Sequence, residues 1–509
     1  MNAARPRRGT RFAGRRLSPV RAITSVAGTL ALLAVTAGAV ASPFLSPAVT
    51  GVSTDGRWFA GYYDVTLEDG EKLARSNLGV TPGGVVLSFV VAAGTDDCTP
   101  TWGKAYGLDE AASLFELDRR VARLTGEGRP VAVSFGGAIN TELAVACSTV
   151  ADLTEVYRDV IDRYGVDTID LDIEGRTLSD TGAAARRATA VAALQRERAD
   201  DGKPLAVWLT LPVAPDGLTA EGIALVTGML DAGVSIAGVN VMTMNYGLQA
   251  PGSLADVNAG ALQATADQLT AAWRQRDVAL PPGGVWSMMG ATPMIGRNDV
   301  ATEVFSLDDA RALNAFAAEK GMARLSMWST NRDHTCGTNY ANRAAVSNEC
   351  SGVEQAGVNF ADLLADGYTG DDDVPARTLI ADDPETSPYP IWSSMTYYSA
   401  GVKIVWNGSV YMSKWWNEDG PRPDDPSLDL SASAWTYLGP VLETDLPFTL
   451  PQLPPGTYPE WGVDTLYNQG DRVMLEGTGY EARWWSRGQS PDRSVLDRDY
   501  SPWKMLEAP

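Results

Sequence analysis

Residues 167–175 read Asp-Thr-Ile-Asp-Leu-Asp-Ile-Glu-Gly. Alternate residues of a strand share a face, so Ile169, Leu171 and Ile173 take one side and Asp170, Asp172 and Glu174 the other. Three carboxyl groups facing a low-dielectric interior are costly as ions. Like charges that close share protons, which raises the proton affinity of at least one of them. A carboxylic acid still protonated near neutral pH is what a general acid requires. Glu174, last on the strand, is the candidate for that role, with Asp172 and Asp170 as its coupled neighbours. Two other readings compete. A solvated surface strand is opposed by the flanking β-branched alternation. A divalent-cation site is opposed by the spacing, which makes a ladder rather than a cage.

The remaining composition leaves carboxylate chemistry as the open class. The chain has 509 residues, 41 Lys and Arg against 63 Asp and Glu, and a net charge of −22. That balance argues against nucleic acid as partner, because phosphate binding needs a basic face. His334 is the only histidine, so sites built on several His ligands are excluded. A Ser-His-Asp triad would have to use it, and no Gly-x-Ser-x-Gly elbow accompanies it. His334 reads as a loop residue. No metal and no cofactor is expected.

The carboxylates need a scaffold that aims them at one opening. Short apolar runs recur at 59–64, 85–91, 130–135, 167–174, 205–212, 236–245, 284–290 and 323–329. Helical spacing lies between them, over 108–124, 149–164, 181–199, 255–273 and 307–320. Eight such units predict an α/β fold, a closed (β/α)8 barrel over 58–370; a doubly wound open sheet is the alternative. In a barrel Glu174 falls at the C-terminal mouth, where such folds place their chemistry.

Outside the barrel the sequence divides into a leader and a tail. Residues 1–21 hold seven arginines and no acid; setting those seven aside takes the balance from −22 to −29. The apolar run 22–41 with Ala39-Val40-Ala41 reads as a secretory signal over 1–41, or as an uncleaved signal anchor. Residues 42–57, 371–388 and 441–457 read as linkers. The expectation is therefore a secreted protein, with the cell surface as the alternative and membrane contact only if the leader stays. Four cysteines allow three pairings; loop adjacency favours Cys98 with Cys147 and Cys336 with Cys350.

The tail repeats itself. Tyr389, Pro390 and Trp392 recur as Tyr458, Pro459 and Trp461, Gly408 and Tyr411 as Gly477 and Tyr480, and Trp415-Trp416 as Trp484-Trp485, all at an offset of 69. Trp435 recurs as Trp503 at 68. A fixed offset means tandem modules, here 389–440 and 458–509. Modules of that size bury only a few large aromatics. One ring of each Trp pair is expected in the core and the other outward, as a sugar-stacking platform or interface.

Asp167-x-x-Asp170-x-Asp172-x-Glu174 resembles the D-x-x-D-x-D-x-E signature of family 18 glycoside hydrolases, the chitinases. Ser134-Phe135-Gly136-Gly137 is similar to the S-x-G-G motif of the third strand. The runs 290–299 and 327–333 are similar to strands seven and eight of a bacterial subgroup. The resemblance spans 58–367. It implies a (β/α)8 barrel and a retaining, endo-acting hydrolase of β-1,4-N-acetylglucosamine linkages, whose nucleophile is the acetamido oxygen of the substrate. It implies that Glu174 protonates the leaving oxygen, Asp172 orients the acetamido group, Asp170 shares their proton and Trp328 floors the sugar site. In the strand-six motif, Met242-Thr243-Met244-Asn245-Tyr246-Gly247, Asn245 stands where the subgroup has Asp; an amide adds no charge and shares no proton. Met242, Asn245 and Tyr246 are candidate substrate contacts, as are Tyr63 and Trp102 near strands one and two.

The tail resembles chitin-binding modules of carbohydrate-binding families 5 and 12, which implies stacking by Tyr411, Trp415 and Trp416 and by Tyr480, Trp484 and Trp485. Two linked weak modules gain avidity on a polymer. The implied partners are chitin or N-acetylglucosamine oligosaccharides, with no obligate protein partner. The competing functions are an endo-β-N-acetylglucosaminidase on glycans or peptidoglycan and a non-catalytic chitin lectin, the latter kept open by Asn245.

Overall fold

The structure is a computed structural model that describes residues 56–68, 78–79, 81–249, 252–370, 379–394, 396–418, 422–425 and 432–507. The predicted leader, residues 42–55 and residues 371–378 of the second linker lie outside the described residues.

Eight parallel strands form the barrel: β1 (Trp58–Asp64), β2 (Gly84–Ala92), β3 (Val131–Gly136), β4 (Thr168–Asp172), β5 (Ala206–Ala214), β6 (Ile236–Met242), β7 (Met289–Thr292) and β8 (Arg324–Leu325). Each pairs with the next, and β1 pairs with both β2 and β8, which closes the ring. The period-2 pattern explains the strands: Ile169, Leu171 and Ile173 are fully buried beneath the helices, while Asp170 faces inward and meets Ser134 and Thr210 of the flanking strands.

Helices pack outside: α1 (Leu108–Phe115), α2 (Leu117–Gly126), α3 (Val150–Tyr164), α4 (Thr181–Asp200), α5 (Ala220–Asp231), α6 (Leu254–Gln275), α7 (Leu307–Lys320) and α8 (Phe360–Ala365). Their starts follow the capping rule. Thr149, Asp180, Thr219, Ser253 and Ser306 each accept a backbone N–H of the first turn, which satisfies a donor the helix cannot.

Two elements differ from the sequence pattern. The helix expected over 108–124 is two helices, because Glu116 takes a left-handed conformation with φ 52°. Its carboxylate reaches Arg119, Lys403 and the Tyr389 hydroxyl, a long-range set of partners that no local periodicity encodes. The seventh run, expected over 284–290, forms a 3-10 turn over Val285–Met288 and becomes strand only at Met289–Thr292.

The tail forms two three-stranded antiparallel sheets: β9 (Lys403–Trp406), β10 (Ser409–Ser413) and β11 (Trp435–Pro440), then β12 (Arg472–Leu475), β13 (Thr478–Ala482) and β14 (Trp503–Met505). Each has a small aromatic core, with Tyr398, Ile404, Tyr411 and Trp435 in the first and Tyr467, Val473, Tyr480 and Trp503 in the second. The described parts of the expected linkers are engaged. Asp382 accepts from the N–H groups of Asn407 and Gly408. Asp445 takes a bidentate pair from Arg119 of α2 at 2.9 and 2.7 Å. Both expected disulfides form, Cys98–Cys147 and Cys336–Cys350, with Cα separations of 4.8 and 5.0 Å. Among the described residues no helix is long and apolar enough to cross a membrane.

Candidate active site

The inward face of β4 carries its acids at two depths. At the floor, fully buried Asp170 accepts from Ser134 Oγ (2.7 Å), Thr210 Oγ1 (2.7 Å), the Tyr62 hydroxyl (2.8 Å) and Arg324 Nη1 (2.8 Å). Four donors fill the acceptor sites of this one carboxyl group. Arg324 is itself fully buried, and its guanidinium lies 4.9 Å from the Trp58 ring and 5.3 Å from the Trp208 ring. The aromatic faces replace part of the lost hydration of the cation.

One step toward the mouth, Asp172 is buried, yet its Oδ1 has no hydrogen-bond partner. Burial pushes its proton affinity well above the usual carboxylate range, and the neighbouring Glu174 and Asp170 push it further; Arg324 opposes them. Glu174 is half-buried where β4 gives way to a 3-10 turn. Burial raises its proton affinity too, with the charge of Asp299 adding to the effect.

Glycines allow this layering. A Cβ on Gly136 (φ 110°) would lie 2.1 Å from the Asp172 carbonyl oxygen, and the Gly137 N–H donates to that oxygen at 3.0 Å. The Ser-Phe-Gly-Gly run thus packs β3 against the acid strand and gives Asp170 its Ser134 donor.

Asp172 and Glu174 open into a cleft of about 280 Å³. Trp328 and Phe89 stack 5.4 Å apart along it, with Tyr62 tilted against both. Met242, Met244, Met294, Pro212 and Val213 make an apolar wall, and Asn245, Thr292 and Asp299 add polar groups. A larger hollow of about 620 Å³ lies between α2 and the first tail sheet; it holds none of these acids. Among the described residues no group of three or more His, Cys, Asp or Glu is placed to hold a metal ion.

Of the residues singled out from sequence, Asp172, Glu174, Met242, Asn245 and Trp328 meet in the cleft, and Asp170 lies beneath it. Three lie elsewhere. Tyr63 packs outside the barrel wall, its hydroxyl donating to Glu68 at 2.6 Å; strand parity turns Tyr62 inward instead. Trp102 is fully buried and donates to the Tyr164 hydroxyl. Tyr246 turns away, its hydroxyl donating to Asn258 Oδ1 at 2.8 Å. In the tail Tyr411 and Tyr480 are core residues, not platforms. Trp415, Trp484 and Trp485 are 45%, 42% and 63% exposed. Neither ring of the second pair is core, because both follow the end of β13, where strand alternation no longer applies. Trp416 is half-buried, stacked on Tyr397 and met edge-on at 5.1 Å by Tyr500, in the turn before β14.

Sequence reasoning missed Tyr62, Phe89, Thr210 and Arg324, and assigned no role to Asp299. Parity from Trp58 points to Tyr62, and an arginine heading the apolar run 323–329 is the available signal for Arg324. Chemically, the cleft offers a carboxyl biased toward its protonated form, an acceptor without a partner beside it and an aromatic floor. It can donate a proton to a ligand lying on that floor.

No family model matches the chain. Over 285 residues it is 36% identical to a probable bifunctional chitinase/lysozyme of Escherichia coli strain K12, covering 55% of this chain and 31% of that protein. Over 282 residues it is 35% identical to endochitinase 11 of Metarhizium anisopliae, covering 54% of this chain and 52% of that one. The chain spans about a third to a half of the length of these curated relatives. Active domain 2 of a chitinase from Pyrococcus furiosus, solved as catalytic-site mutants, aligns with a TM-score of 0.50 at 28% identity, over 62% of this chain and 97% of that domain. The same domain complexed with chito-oligosaccharides gives 0.52 at 27% identity, over 63% and 96%.

Proposed function

We propose that the chain is a retaining, endo-acting chitinase that cleaves β-1,4-N-acetylglucosamine linkages with the acetamido oxygen of the substrate as nucleophile. The observation that carries this is the pair at the end of β4: Glu174, biased toward its protonated form, beside an Asp172 oxygen with no protein partner. In this reading Glu174 protonates the glycosidic oxygen as the bond breaks. Asp172 accepts the acetamido N–H through its unpartnered oxygen, turning the acetamido oxygen toward the anomeric carbon, and the Glu174 carboxylate left by proton transfer balances the cyclic cation that forms. Glu174, now a carboxylate, takes a proton from the water that opens that ring and returns the sugar with its configuration retained. Trp328 and Phe89 supply the stacking floor. The relatives' names and the chito-oligosaccharide complex of the Pyrococcus domain support the substrate class.

The two tail sheets are read as chitin-binding modules presenting Trp415, Trp484 and Trp485. The chain is read as acting outside the cytoplasm, in keeping with its two disulfides. A second reading, cleavage of peptidoglycan, is favoured by the lysozyme half of one relative's name. The test is soluble product released from colloidal chitin, and separately from peptidoglycan, by the wild-type chain and by Glu174→Gln. Release from chitin by the wild type alone is the expected result. No release by the wild type defeats the reading, and unchanged release by Glu174→Gln defeats the role of that residue.

A further inference from the structure

The strand-six motif carries an amide where the resembling subgroup has a carboxylate, and the structure shows what that amide holds. Asn245 has φ 55°, a backbone region that asparagine tolerates better than most residues. Its Nδ2 donates to Asp299 Oδ2 at 2.9 Å, its Oδ1 accepts the Val300 N–H at 3.1 Å, and its own N–H donates to Asn298 Oδ1 at 3.3 Å. The Asn245 side chain thereby ties the loop after β7 to the end of β6. Asn245, Asp299 and Glu174 all line the same cleft.

We infer that Asp299 is a positioning residue for the proton-transfer step: held by Asn245, its carboxylate supplies Glu174 with the neighbouring negative charge that position 245 lacks. It acts through Glu174 and not on the substrate. A negative charge facing a carboxyl disfavours its ionisation, so Glu174 keeps its proton to higher pH and stays competent as an acid. Burial is the larger cause of that retention and Asp299 the next.

The other charged and titratable groups around this end of the cleft come from four sides. Asp172 precedes Glu174 on its own strand, with Asp170 and Arg324 paired on the floor. The Tyr62 phenol lies over that pair and stays neutral, because burial raises its proton affinity. Glu303, behind Asn245, is occupied by the N–H groups of Tyr246 and Leu248. Arg332, which feels the charge of Asp299, is fully buried, with Nε and Nη1 unpartnered. Burial lowers its proton affinity to about 10 and Asp299 counters that, so Arg332 remains a cation in the range where Glu174 titrates.

The kinetic part of the test rests on the hydrolase reading; the titration part does not. Full-length chain with 13C-labelled glutamate carboxyls is titrated by NMR, the Glu174 signal being the one absent from Glu174→Gln. Asp299→Asn is expected to lower the Glu174 midpoint by about half a pH unit or more, the size of one charge across a partly hydrated cleft. Asn245→Asp, which adds charge and removes none, is expected to raise it. The alkaline limb of kcat on a soluble chito-oligosaccharide should move in the same directions, which a purely structural role would not produce. An unmoved midpoint in folded Asp299→Asn overturns the inference. Should that variant not fold, Asp299→Ser takes its place, and an unmoved midpoint there overturns the inference. Moving midpoints in a chain with no turnover would remove the hydrolase reading and leave the coupling standing. Fixed midpoints in an active chain would do the reverse.

Discussion

Asp170 and Asp172 share a strand, a face and a side chain, yet their surroundings are opposite. Asp170 is saturated by three hydroxyls and a buried guanidinium. Asp172 keeps an oxygen without a partner. Buried polar groups are almost always paired, so an orphan beside a cleft marks a place where another molecule completes the set. The difference divides one carboxylate ladder into a floor that holds the barrel together and a rim that meets a ligand. Burial and neighbouring acids raise the proton affinity at the rim, while the floor acid has the Arg324 guanidinium bonded to it.

The largest effect should come from the rim. Glu174→Gln keeps shape and removes the proton, and product release from a soluble chito-oligosaccharide should fall by about 10³-fold with the urea midpoint of unfolding unchanged. A large fall in that midpoint would mean that the rim is structural after all. The floor should respond the other way. Asp170→Asn leaves Arg324 buried without its counter-ion, a loss of about 3–5 kcal/mol, read as a lower urea midpoint at constant m-value. Unchanged stability would break the comparison.

Asp172→Asn should cost activity, by about 100-fold on the scale of one lost transition-state contact, and spare stability. The sign with pH follows from linkage. The native carboxyl binds its proton more tightly than the unfolded one, so wild-type stability declines as pH rises above the unfolded value of about 4 toward the raised native value. The Asn variant lacks that decline, and its advantage over wild type should grow across the same window. A constant difference between pH 4 and 7 would contradict the raised proton affinity of Asp172. The smallest effects belong to the tail. Trp485→Ala should weaken retention on insoluble chitin by about tenfold or less, the size of one lost stacking contact. Trp416→Ala should do so less, because Tyr397 and Tyr500 already cover its ring. Equal losses would mean that burial does not grade the platforms.

Much of this layering was legible in the chain. Alternation at 167–174 placed Asp170, Asp172 and Glu174 on one face, and eight repeats placed that face inside a closed barrel with Glu174 at its mouth. The tail offset of 69 located two like units with matching aromatic cores. Periodicity is a property of near neighbours, and it succeeds wherever burial is decided by the residue's own strand or helix. It weakens at boundaries, as where β7 begins late or where Trp484 and Trp485 pass the end of a strand.

What the amino-acid order alone determined is the set of acids, their common face and the scaffold that aims them. What only the tertiary structure decided is which acid is paired and which is left bare. Arg324 reaches Asp170 across 154 positions of sequence. Glu116 breaks a helix to meet Lys403 across 287, and Asp299 reaches the cleft of Glu174 from a different loop. Ring closure creates the first, since it brings β8 beside β1, and packing of the tail on the α1–α2 junction creates the second. The proton affinity of a carboxyl is set by whatever charge and water the closed ring leaves around it, which no local pattern contains.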